Sequence, residues 1–351
     1  MNWWGLVKKS LSFYWRTNLG VLLAVAVSTA VLTGALVVGD SVRYSLMMMV
    51  RARLGSTQLA LVSQNRFFTS VLADELSAQL NVTVAPVLRL RGLIATSDDT
   101  RVANKIEVLG VDERFFRVGS AQGAEPFWSD WSGGIALNEP LAERLGVAAG
   151  DEVKLRIEKP GMMPREVPLT PDSDLSVLFR PTVKAIAGIP QFGRFGLQAD
   201  QIAPLNVFVP LRWLQENMGH QGHANMLLAA ASETEELTVE RANAAIKKRW
   251  QLADAGLNIR TLSRQKVYEV RSSRVFMDQS QSETVPDGAI GILTYFVNEL
   301  RVGDRATPYS TVAAMTPAAN GSSLIPADMR DDEILINQWL ADDVGARVGD
   351  S

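Results

Sequence analysis

The sequence predicts an α+β fold: one membrane-spanning helix at the N-terminus, then a mixed body that carries a β-rich insertion. Three observations predict it. Leu19 to Val38 is a run of twenty residues without a charge. From residue 57 onward, segments of strand period and helix period alternate. Between them lies a middle section, about residues 115–222, that is richer in Pro and Gly. The chain has 351 residues, 47% hydrophobic and 21% charged, which suits roughly two or three domains with a real core.

The apolar run, LGVLLAVAVSTAVLTGALVV, spans about 30 Å as a helix, the hydrocarbon thickness of a bilayer. Its polar residues are small (Ser28, Thr29 and Thr33), and their hydroxyls can bond back to the helix backbone. Gly20, Ala24, Ser28, Gly34 and Ala35 leave surface where another helix can approach closely. A cleaved signal would have a shorter apolar core and a small-x-small site after Val38; neither is present, so a retained anchor is expected. Lys8, Lys9 and Arg16 on one side balance Arg43, Arg51 and Arg53 on the other, so the positive-inside count is tied. The next apolar run, Ala289 to Val297, is too short to span, which places everything after residue 40 on one side. Ahead of the span, residues 1–18 set Trp3, Trp4 and Trp15 among Lys8, Lys9 and Arg16. Rings at headgroup level and bases toward anionic lipid make an interfacial segment; an ordinary basic flank is the other reading. Behind the span, residues 41–56 have no Pro and no Gly before Gly55, so the helix is expected to continue as a stalk.

In the body, Gln58 to Val62 reads as a strand. Phe68, Val71, Leu72, Leu76 and Leu80 recur at helical spacing, with Asn81 as the stop. Val82 to Ala95 and Ala103 to Val111 read as strands joined by a turn at Ser97 to Thr100. Ser232 and Glu235 form a capping box for a helix with Val239, Ala242, Ile246 and Trp250 as its buried face. Lys247, Lys248 and Arg249 close that helix, as its dipole favours. Strands are expected on both sides of it, at Asn225 to Ala230 and Leu257 to Leu262, and in the insertion at Val153 to Ile157, Thr182 to Ile189 and Asn206 to Val209.

A motif recurs at a constant offset of 199 residues: IALNEPLAERLGVAAGD at 135–151 and ILINQWLADDVGARVGD at 334–350. Asn138 and Asn337 are N-caps, Leu141 and Leu340 face the core, and Gly146 and Gly345 end the helices. Gly150-Asp151 and Gly349-Asp350 turn the chain onward. A hairpin is expected before each copy, at Leu93 to Val111 and Gly291 to Ala314, so a module occurs twice. The second copy stops at Ser351, where the first enters a strand, and a truncated piece of something longer is expected.

These features resemble the FtsX/MacB-like permeases of ABC transporters. The resemblance rests on one N-terminal anchor, on ALNEPLAERLGVAAGDEV, on VLGVDERFF (Val108 to Phe116) and on NVFVPLRWLQ (Asn206 to Gln215). Beside the interfacial segment at 1–18 and the stalk at 41–56 read from the residues, it implies a transmembrane helix at 19–40. A porter-like α/β subdomain follows at 57–114 and 223–263, with the β-rich insertion at 115–222. The chain departs from the family's pattern in two ways: later membrane helices are absent, and residues 264–351 begin a second, incomplete module that the ordinary member does not have. The resemblance also implies a bacterial inner membrane location with the N-terminus cytoplasmic and the bulk extracytoplasmic. A cytoplasmic ABC ATPase would be the partner, with a second copy or a related permease beside it, and an amphipathic or lipid-linked substrate would be exported or extracted. A single-pass anchored binding, scaffold or sensor domain is the alternative reading.

Catalytic chemistry is short of parts. Lys plus Arg number 35 against 38 Asp plus Glu, a net charge of -3, which argues against a nucleic-acid surface. With no Cys, thiolate catalysis, disulfides and Cys-ligated metals are excluded. No phosphate-binding loop, nucleophile elbow or zinc-protease motif occurs. His220 and His223, the two histidines, are a poor start for a metal site; neither metal nor cofactor is expected, and ATP hydrolysis is assigned to a partner. The remaining candidate is the loop Ile189 to Gln198, where Phe192 and Phe195 flank Arg194 between glycines. An exposed tip of this kind would touch cargo or a partner; an ordinary hairpin tip would fold its rings inward.

Overall fold

The computed structural model describes residues 3–63, 66–119, 133–160, 176–198, 202–230, 237–264, 266–272, 274, 277, 279–283, 286, 288–315, 325–326 and 328–351. A first compact unit ends at Ala255 and a second begins at Gly256.

In the first unit, α1 (Trp3–Phe13) passes through Tyr14 into α2 (Trp15–Leu54), which runs unbroken for 40 residues. Backbone bonds bridge the step: Tyr14 N–H donates to Ser10 O and Asn18 N–H to Tyr14 O, both at 3.0 Å. At 1.5 Å per residue α2 is about 60 Å long, twice a bilayer's hydrocarbon core. The apolar run and the segment after it are therefore one helical rod, consistent with the absence of Pro.

The body follows as β1 (Thr57–Val62), β2 (Phe68–Thr69), α3 (Val71–Leu80), β3 (Val84–Thr96), β4 (Val102–Val111), α4 (Glu113–Gly119) and β5 (Gly134–Asn138). Next come α5 (Glu139–Leu145), β6 (Val153–Glu158), β7 (Ser176–Phe179), β8 (Thr182–Ala187), β9 (Asn206–Pro210), α6 (Leu211–Met218), β10 (His223–Ala224), β11 (Met226–Ala230) and α7 (Val239–Arg249). One sheet runs β1-β11-β3-β4-β9-β5-β8, with β6 pairing both β3 and β7. Strand β3 joins everything. Its start pairs with β11, the stretch from Leu88 pairs with β4, and Gly92 to Thr96 also pairs with β6. Only glycine allows the last pairing, because a Cβ on Gly92 would lie 2.5 Å from Arg156 O. The strands of the insertion thus extend the same sheet rather than forming one of their own.

Period-two alternation sorts side chains into separate cores. On β9, Val207 and Val209 face one core while Phe208 faces another; on β5, Ile135 and Leu137 divide from Ala136 in the same way. Helices α3 and α7 cover a third core, with Leu72, Leu76, Leu80, Leu227 and Ala245. Asn81 ends α3 in the left-handed region at φ 54, where its short amide side chain is tolerated.

Two expectations need correction. The Ser232/Glu235 capping box lies outside the described residues, and α7 instead starts at Val239 with Thr238 as N-cap, its hydroxyl accepting from Arg241 N–H at 3.2 Å. Its buried residue is Ala245; of the expected face, Ala242 and Ile246 are half-buried, with Ile246 against the core, while Val239 and Trp250 are exposed. Leu257 to Leu262 is a strand, as expected, but it does not flank α7 in the main sheet.

That strand, β12 (Leu257–Leu262), opens the second unit and pairs antiparallel with β13 (Val267–Ser272). Then come α8 (Gln279–Ser282), β14 (Ile292–Val302), β15 (Arg305–Met315) and α9 (Gln338–Val344), with β14 and β15 forming the expected hairpin.

The recurring motif has the same geometry in both places. Asn138 caps α5 by accepting from Leu141 N–H at 3.3 Å, and Asn337 caps α9 by accepting from Leu340 N–H at 2.8 Å. Gly146 (φ 66) and Gly345 (φ 70) end the helices. Asp151 Oδ2 accepts from Ala148 N–H, and Asp350 Oδ2 from Arg347 N–H, each at 2.8 Å. The motif's aspartates are turn-makers, as their position after glycine implies. Its setting differs, however: Ile135 is fully buried in β5, whereas Ile334 and Leu335 lie exposed and unpaired in irregular chain.

Candidate functional site

The functional candidate is the joint where α2 enters the body. Among the described residues, Arg53 is the one buried side chain of α2, at 7% exposure. Its guanidinium donates through Nη1 to Gln198 O at 3.0 Å and through Nη2 to Ile202 O at 2.7 Å. A buried cation requires such acceptors, and the planar fork suits a pair of them. Two residues on, Gly55 takes φ 55 and ψ -126, a conformation restricted essentially to glycine. A Cβ there would also collide with Gly119 O. Ser56 then donates to Val118 O twice, from N–H at 3.0 Å and from Oγ at 2.5 Å. Glycine and serine are thereby fastened to the C-terminal end of α4.

The loop singled out from the sequence meets the same end of α4. A Cβ on Gly119 would strike the ring of Phe192, so the two elements are in close contact. Phe192 and Phe195 are 2% and 3% exposed. They pack on Phe115 with ring centroids 4.9 and 5.2 Å away, beside Phe208 at 5.9 Å from Phe115. The exposed-tip reading of Phe192 and Phe195 is corrected: burying the two rings in this aromatic cluster outweighs any gain from leaving them in water. Phe192 even sits at φ 60, in the left-handed region, held there by its own turn: Phe192 N–H donates to Ile189 O at 3.0 Å and Gly193 N–H to Gly188 O at 2.9 Å. Arg194 alone of the three remains accessible, with its side chain 43% exposed and 3.9 Å from Glu139.

Two buried asparagines hold the loop from beneath. Asn138 Nδ2 donates to Gly193 O at 3.1 Å and to Pro204 O at 2.7 Å. Asn206 Nδ2 donates to Phe195 O at 2.8 Å and to Gly193 O at 3.2 Å. Sequence reasoning finds Asn138 as a helix cap; Arg53, Gly119 and Asn206 carry no local signal of this role.

The chain belongs to the MacB-like periplasmic core domain family. The family's model matches residues 19–249, more than half of the sequence, and takes in α2 from Leu19 onward, the joint and the loop. Among curated protein sequences none matches. The periplasmic region of MacB from Actinobacillus actinomycetemcomitans is similar at 12% identity and a TM-score of 0.38, over 68% of this chain and 97% of that one. The extracellular domain of a noncanonic ABC-type transporter, YknZ, from Gram-positive bacteria is similar at 11% identity and a TM-score of 0.31, over 59% and 90%. In this MacB-like chain the family match starts at the first residue of the apolar run, and α2 is the one described helix long and apolar enough to cross a membrane.

The remaining candidates fall on the surface or in turns. Trp3, Trp4, Lys8, Lys9, Trp15 and Arg16 are all exposed on α1 and the start of α2, with the Arg16 guanidinium 5.5 Å from the Trp15 ring centroid. His220 stacks on Phe67 with centroids 4.0 Å apart, and burial, then the nearby His223, push its pKa down. Among the described residues no group of three or more His, Cys, Asp or Glu is placed to hold a metal ion.

Proposed function

We propose that this chain is the anchored ectodomain portion of an ABC permease, carrying ATP-driven motion from the membrane to a folded body outside it. One observation carries the reading: a single unbroken helix begins as a membrane-length apolar rod and ends fastened inside the ectodomain. A rod joined in this way can pass displacement on; a flexible tether could not. ATP hydrolysis resides on a cytoplasmic ABC partner, and a second copy or a related permease stands beside this one. The moved body exports or extracts an amphipathic or lipid-linked substrate. In the bacterial inner membrane the N-terminus faces the cytoplasm, with Trp3, Trp4, Lys8, Lys9, Trp15 and Arg16 settled at the lipid interface.

A Gly-Pro pair replacing Tyr44-Ser45, in the exposed stalk, tests this. It breaks the rod but leaves anchor and body untouched. Transport by the assembled complex should be abolished while the chain stays membrane-bound and its ATPase keeps turning over. Undiminished transport would favour a purely anchored binding, scaffold or sensor domain instead.

A further inference from the structure

We infer that Arg53 is a positioning residue that locks the angle between α2 and the ectodomain, so that Gly55 does not act as a free hinge. The inference rests on α2 being the helix through which motion enters.

The geometry runs in steps. Covalently, α2 meets the body at Gly55, whose backbone conformation is open to glycine and few other residues. The Ser56 bonds to Val118 O fix the chain just after that glycine and do nothing for the helix before it. Arg53 lies on the helix side. Its two bonds reach across to Gln198 O and Ile202 O, more than 140 residues away in sequence. Gln198 ends the loop that Phe192 and Phe195 root in the aromatic cluster and that Asn138 and Asn206 grip from β5 and β9, and Ile202 lies two residues before Pro204, whose carbonyl Asn138 also holds. The path from helix to sheet is thus a contiguous set of contacts, of the kind able to carry coupling. Backbone at Gly55 and guanidinium at Arg53 make two attachments at different points of the body, and two attachments remove the rotation that one would permit.

The sequence contains no Cys, so introduced thiols label uniquely. Spin labels at S41C on α2 paired with A78C on α3, or with E143C on α5, read the helix-to-body distance in lipid nanodiscs. An A78C/E143C pair reads the body alone. All three positions are exposed. The unaltered joint should give one narrow distance population for each pair. Arg53→Gln should lose that narrow population for both Ser41 pairs and leave the body pair unchanged. Arg53→Lys, whose ammonium cannot present a fork to two carbonyls, should lose most of it. Unchanged Ser41 distances in R53Q would overturn the inference. So would equal broadening of the body pair, which would make Arg53 a general packing residue. The distances need no ATPase, so a failure of the ATP-driven reading would leave them interpretable.

Discussion

Asn138 Oδ1 accepts from the backbone N–H of Asn206 at 3.2 Å while it also caps α5 through Leu141 N–H. One side chain therefore starts a helix, ties β5 to β9 and, through Nδ2, holds the Phe192 loop. Asn337 occupies the same place in the second copy of the motif and caps α9. Asn337→Ala should cost about 1 kcal/mol, the worth of a cap. Asn138→Ala should cost roughly 3 kcal/mol, because the buried Asn206 N–H and Pro204 O lose their partner as well. Denaturant midpoints of the two variants in detergent would check the order; equal midpoints would refute it.

The buried rings give a second expectation. Phe192→Ser and Phe195→Ser should each destabilise the first unit by about 3–5 kcal/mol, the range for emptying an aromatic site. Arg194→Ala should stay within about 1 kcal/mol, since its ion pair with Glu139 is partly solvated and long. Thermal melts would separate these cases, and a benign Phe192→Ser would mean that the ring lies outside the core.

The β3–β4 turn carries a pH signature. Asp98 accepts from Thr96 Oγ1 at 2.5 Å and from Thr100 N–H and Oγ1 at 3.2 and 2.9 Å. The Thr96 bond first, and the Thr100 bonds after it, lower its pKa from 3.8 to about 2. A depressed carboxylate supports the fold fully above pH 3.8 and loses that support as pH falls through about 2. A carboxyl NMR titration should find the low midpoint, and Thr96→Val should move it upward.

His220 works in the same direction at higher pH. Its folded pKa lies below the ordinary 6.5 because of burial and, after that, His223. Neutral His220 therefore stabilises the fold above pH 6.5, and this contribution is lost as pH falls through the lowered value. Removing the stacked ring with Phe67→Ala should let water in and raise the midpoint. A ring-proton titration unaltered by that substitution would contradict the assignment of the shift to burial.

Local chemistry was legible in the sequence wherever a few adjacent residues decide the outcome. The charge-free run and the absence of Pro define α2, Asn81 stops α3, and the Asn…Gly…Gly-Asp punctuation shapes both copies of the motif. Those signals act through backbone conformation and nearest neighbours, so they survive without knowledge of the fold. Burial across long separations is different. Whether Phe192 faces water or core depends on Phe115 and Phe208, and Arg53 is buried only because a loop some 145 residues away lies over it. The strand at Leu257 to Leu262 is legible for the opposite reason, since it pairs with the next strand along the chain, β13, as a local hairpin. The tertiary structure alone decided where the rod meets the body, since hydrophobic burial and buried hydrogen bonds depend on which surfaces the chain brings together.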